Sequence, residues 1–97
     1  MHTAAEADQP IGERELSRLR WRCRRGLLEN DLFIERFFAR HESGLTVRQA
    51  QALGVLMDLS DNDLLDQLLR RKSPEGPLAE PEVLQVLELL RNARSTD

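Results

Sequence analysis

The chain draws its apolar content overwhelmingly from leucine, at 18 of 97 positions, against three phenylalanines, one tryptophan and no tyrosine. Leucine and arginine favour helices, whereas strands want β-branched and aromatic side chains, which are scarce here. A helical fold is therefore the first expectation. The length suits one domain, large enough to bury a modest core without staples. With 40% hydrophobic and 32% charged residues the balance is that of a globular chain. A single cysteine, Cys23, excludes an internal disulfide and a cysteine-rich zinc site. His2 and His41 are too few for a purely protein-made zinc site. No run approaches the ~20 apolar residues of a membrane span, and the acidic N-terminus fits neither a secretory signal nor a mitochondrial presequence. The expectation is a soluble cytoplasmic protein with no membrane insertion.

Apolar spacing divides the chain into five helices. Residues 1–12 are small, polar and Pro/Gly-containing, and read as a disordered tail ahead of a single helical domain over 13–94. Glu13 to Arg25 is the first helix, with Leu16, Leu19 and Cys23 on a narrow apolar face. Gly26 marks a junction. Leu27 to His41 is the second, with Leu27, Ile34 and Phe38 on one face and Phe37 beside them; Gly44 stops it. Thr46 and Gln49 have capping-box spacing and open a third helix through Leu59, whose apolar face is Val47, Ala50, Leu53 and Met57. Gly54, in its middle, reads as a place where a neighbour packs closely. Ser60 and Asp63 cap a fourth helix bearing Leu64, Leu65, Leu68 and Leu69. A loop from Ser73 to Pro77 leads to a fifth helix at Pro81, with Val83, Leu84, Val86, Leu87 and Leu90 inward. Ser95 to Asp97 is expected to fray. Short connections make this a compact all-α bundle.

The sequence lacks a phosphate-cradling G-x-G-x-x-G or Walker loop, an H-E-x-x-H metal pair and a G-x-S-x-G nucleophile elbow. Cys23 shares the leucine face, which favours a buried structural thiol over a nucleophile. His41 sits where a helix C-terminus favours a cation. Asp58, Asp61, Asp63 and Asp66 read as helix ends and solvated faces, without EF-hand spacing. This census argues against an enzyme, a metal site and a resident cofactor.

The unusual stretch starts in the first helix. Arg14, Arg18, Arg20, Arg22, Arg24 and Arg25 crowd twelve positions of a chain whose net charge is −3. At ~100° per residue, Arg14, Arg18, Trp21 and Arg25 share a face opposite the leucines. Trp21 there has two readings: it lies over a neighbouring helix with an arginine stacked on it, or it belongs to a protein-binding face, where Trp and Arg are enriched. Arg25-Gly26-Leu27-Leu28-Glu29 also has two. Arg25 and Glu29 form a weak surface ion pair, or Gly26 admits a partner's backbone while both charges bond across an interface.

Trp21-x-Cys23-Arg24-Arg25-Gly26-Leu27-Leu28-Glu29-x-Asp31-Leu32, followed by Arg36-Phe37-Phe38, closely resembles the SdhE family of flavinylation factors of succinate dehydrogenase. The segment 56–65 adds to the resemblance, which covers about Leu16 to Arg94. Asn30 stands where members commonly have leucine, and the fourth helix lacks their aromatic pair. The resemblance implies a five-helix factor that binds the flavoprotein subunit of succinate dehydrogenase, and of fumarate reductase in many cases. It implies that the factor promotes covalent attachment of FAD to a histidine of that client. FAD is then the client's cofactor, and the chain itself acts as a monomer without catalytic residues. The implied partner-binding residues are Arg25, Gly26 and Glu29 of the motif, with Trp21, Arg18 and Asp31 around them. The rival reading is an Arg-rich helical nucleic-acid binder or a toxin-neutralising antitoxin; overall acidity and the lack of a recognition-helix pattern count against it.

Overall fold

The computed structural model describes residues 9–24 and 27–93. Arg25 and Gly26, residues 1–8 of the expected tail and the expected frayed end at 95–97 lie outside the described residues. Among the described residues the chain forms five α-helices: α1 (Glu13–Arg22), α2 (Leu28–His41), α3 (Val47–Met57), α4 (Asp61–Leu68) and α5 (Pro81–Ala93). Short 3₁₀ turns at Glu42–Gly44 and Gly76–Ala79 precede α3 and α5. The expected all-α bundle is thus the observed fold. None of its helices is long and apolar enough to cross a membrane.

Local chemistry sets the helix starts. Thr46 Oγ1 accepts the Gln49 N–H at 3.1 Å while Gln49 Oε1 accepts the Thr46 N–H at 3.0 Å, completing the capping box. Ser60 Oγ accepts the Asp63 N–H at 3.1 Å and opens α4. Pro81 begins α5, where its missing N–H costs nothing. Gln9–Gly12 depart from the tail reading. The Val47 N–H, a first-turn donor with no intrahelical acceptor, donates to Gln9 O, and the Ile11 N–H donates to Leu45 O, each at 2.9 Å.

α5 is the centre of the bundle: it packs on α3 and α2, α2 packs on α4, and α1 leans on α3 from outside. Phe37, Leu53, Leu56, Leu64, Val86, Leu87 and Leu90 are fully buried between them, each burial stabilising by about 1.5–3 kcal/mol. Three sequence expectations need correction. α1 ends at Arg22 rather than Arg25: the Cys23 side chain goes fully into the core, and the Arg24 N–H turns back to Trp21 O at 3.1 Å. α3 ends at Met57, and its buried face adds Ala52 and Leu56 while Val47 and Ala50 are only half-buried. That shift follows from its two neighbours, since α5 covers one side and the outlying α1 only partly covers the other. Leu84 of α5, expected inside, is exposed, as is much of Leu32 on α2.

α4 ends without a glycine. Arg70 takes the left-handed conformation, φ 61°, so that the Arg71 N–H reaches Asp66 O at 2.8 Å and the Arg70 N–H reaches Gln67 O at 3.2 Å. Arg91 of α5 closes the same end, donating from Nε and Nη2 to Gln67 O at 2.9 and 2.7 Å.

Candidate partner-binding site

Of the residues singled out by sequence, Arg18 and Trp21 lie on α1, and Glu29 and Asp31 lie in the first turn of α2. Leu19 and Cys23 are the buried anchors of α1, with Leu16 half-buried beside them. This anchoring turns Trp21 outward, with 73% of its surface exposed. Trp21 therefore does not lie beneath a neighbouring helix. Its stacking partner is Arg24, whose guanidinium carbon stands 5.6 Å from the ring centroid.

Between α1 and α2 runs a groove of about 590 Å³. Arg20, Trp21 and Arg24 form its α1 wall, and Asp31 and Glu35, one turn apart, form its α2 wall. Cys23, Ile34 and Phe38 form the floor. Arg20 is held in place there: it donates to Glu42 Oε1 at 2.6 Å and stands 5.5 Å from the Phe38 ring centroid. The structure thus brings Trp21 and Asp31 to one groove. It puts Arg18 on another, of about 710 Å³, that runs between α1 and α3 past Ile11, Val47 and Val55. Glu29 is exposed in the first turn of α2, where the helix dipole favours a carboxylate. Arg25 and Gly26, between Arg24 and Leu27 in sequence, lie outside the described residues.

Sequence reading missed what surrounds these residues. Leu28 and Leu32, one turn apart on α2, are 68% and 39% exposed. With Trp21 they are three of the four large apolar side chains that stand exposed among the described residues. Strict helical spacing hints at Leu28 and Leu32, since neither falls on the face of Ile34 and Phe38. Arg22 is also committed, donating to Asp58 Oδ1 at 2.9 Å. No local signal announces a pair 36 positions apart. With Arg20 and Arg22 both facing carboxylates, the arginine-rich helix is a poorer phosphate surface than its composition suggests.

Asn30, next to Glu29, points inward and is fully buried. Its Nδ2 donates to Asp61 O at 2.9 Å, tying the start of α2 to the start of α4, and among the described residues its Oδ1 has no hydrogen-bond partner. Cys23 is buried in the core cluster, as expected of a structural thiol. His41 ends α2 with its ring 5.1 Å from Phe37, and burial, with Arg40 adding repulsion, holds its pKa below the ordinary imidazole value.

Compared with known protein families, residues 17–94 match the family described as flavinator of succinate dehydrogenase. The chain belongs to this family. Curated relatives named FAD assembly factor SdhE agree. The protein of Ralstonia nicotianae is 59% identical over 75 residues, covering 77% of this chain and 79% of its own. That of Legionella pneumophila is 38% identical over 82 residues, covering 84% and 98%. That of Coxiella burnetii is 40% identical over 69 residues, covering 71% and 80%. No solved structure matches. The family match begins within α1 and runs through α5.

Proposed function

We propose that this chain is a bacterial cytoplasmic FAD assembly factor. It binds the flavoprotein subunit of succinate dehydrogenase, and that of fumarate reductase, and promotes covalent attachment of FAD there. The observation that carries the reading is the family match over residues 17–94, which contains the Arg25-Gly26-x-x-Glu29 motif intact. The bond to flavin is made by the client's own histidine. The factor acts as a monomer that holds the client in reactive geometry, a proximity effect that needs no catalytic group on the factor. This agrees with a sequence that offers no dinucleotide-binding loop.

The binding surface in this reading is the outer side of α1 and α2. Arg25 supplies a planar donor fork, Glu29 and Asp31 supply acceptors, and Gly26 lets the client's backbone come close. Trp21 is the apolar anchor and Arg18 a contact on the far rim. Support comes from the apolar exposure in and beside the motif: Trp21 is 73% and Leu28 68% exposed, and tryptophan is enriched among binding hot spots. The test is a time course. Purified apo-flavoprotein is given FAD with and without this chain, and covalent flavin is read by fluorescence after denaturation. Faster attachment with the chain is expected; superimposable time courses would contradict the reading.

A further inference from the structure

Gly54 occupies the middle of α3, where glycine costs about 1 kcal/mol relative to alanine. The backbone does not require it there, since Gly54 is helical and only Gly76 among the described glycines has a positive φ. What Gly54 makes room for is Arg22 of α1. A Cβ on Gly54 would stand 3.1 Å from Arg22 Nη1, so the guanidinium would have to give by a few tenths of an ångström. Arg22 Nη2 donates to Gly54 O at 3.4 Å and to Asp58 Oδ1 at 2.9 Å.

We propose that Arg22, Gly54 and Asp58 form a clamp that sets the pose of α1 on α3, and with it the presentation of Trp21 and Arg24. The pair adds little to stability, because the Arg22 and Asp58 side chains are 54% and 74% exposed. Its effect is geometric. α1 is the outlying helix, anchored by the buried Leu19 and by the fully buried Cys23 at its C-cap. The clamp adds a directional contact at its C-terminal end, between Trp21 and Arg24, two of the residues that line the α1 wall of the groove. Arg22, Gly54 and Asp58 are thus positioning residues. Their effect on client binding rests on the function proposed above.

The variants Gly54→Ala and Arg22→Ala test the clamp, with Trp21, the single tryptophan, as reporter. Alanine at 54 suits a helix, so the melting temperature should hold or rise. Both variants should shift Trp21 emission and quenching in the free protein and speed amide exchange along α1. The double variant should add little to Arg22→Ala, because Gly54→Ala acts only by displacing Arg22. Affinity for the flavoprotein subunit should fall by no more than about 5-fold, since an exposed pair can bias the pose of α1 only by its own small free energy. Wild-type Trp21 emission and α1 exchange in both variants would overturn the clamp. Altered emission with unchanged affinity would overturn its role in presentation. If the wild type itself fails to bind the flavoprotein, the functional reading falls, while emission and exchange still decide the clamp.

Discussion

A buried asparagine beside the motif shows how residue chemistry ties the site to the fold. Asn30 donates to Asp61 O and leaves its own carbonyl oxygen without a partner, so one amide both links α2 to α4 and carries a desolvation cost. Asn30→Asp replaces the donor with a carboxylate that faces a carbonyl. Burial raises the folded-state pKa of such an acid above the unfolded value of ~3.9. Its stability is then fully present below the unfolded pKa and is lost as pH rises through the folded one. At neutral pH the variant should be destabilised by about 3 kcal/mol or more, and near pH 3 by much less. Thermal melts across that range check this, and a pH-independent deficit would contradict it. In the sequence Asn30 is visible only as a polar residue at a position where the family commonly has leucine. That it faces inward follows from α2 packing on α4, which no local pattern reveals. Trp21 is the opposite case: its turn away from Leu16, Leu19 and Cys23 can be read from spacing, and the structure keeps it outside.

At the scale of elements, starts were more legible than ends. Thr46 and Ser60 act through side-chain oxygens three residues from their donors, so spacing alone locates them. Thr46→Ala should remove about 1 kcal/mol, seen as a lower melting temperature with the helical signal otherwise retained. A larger loss would show that the Gln9–Gly12 attachment, which uses the same stretch of backbone, goes with the cap; an unchanged melt would contradict the cap. The end of α4 was not legible because the turn uses Arg70, not glycine, in the left-handed conformation. Arg70→Gly should therefore leave stability unchanged or raise it by up to about 1 kcal/mol, while Arg70→Ala gains nothing. Equal melting temperatures for the two variants would show that the conformation is not strained. The end of α1 was misjudged for a third reason. Continuing the helix to Arg25 satisfies periodicity, but Cys23 is drawn into the core and the chain turns at Arg24.

In the molecule as a whole, most of the core lies away from the proposed binding surface. The core lies among α2, α3, α4 and α5, whereas the proposed binding surface lies on α1 and the outer side of α2. Stability should accordingly answer to groups remote from the motif. The Glu88 carboxyl is held below its ordinary value first by the Arg91 hydrogen bond and then by Arg70. Its contribution is present above the unfolded pKa and is lost as pH falls through the folded one, so Glu88→Gln should cost about 0–1 kcal/mol at pH 7 and progressively less as pH falls. His41 also has a lowered pKa, through burial and then Arg40, so the fold favours its neutral form. That contribution is present above the ordinary value of 6.5 and is lost as pH falls through the folded pKa. His41→Phe should flatten the melting-temperature decline that sets in as pH falls below about 6.5, and an identical decline would contradict this. Neither change should alter assembly activity. The central claim, that Arg25 and Glu29 contact the client, is tested most directly by covalent flavin in the denatured flavoprotein subunit from cells carrying Arg25→Ala or Glu29→Ala. If both residues face the client, each loss leaves a desolvated partner group unpaired and weakens binding by about 2–5 kcal/mol. The account predicts loss of covalent flavin fluorescence with an unchanged melting temperature of this protein; normal covalent flavin in both variants would contradict it.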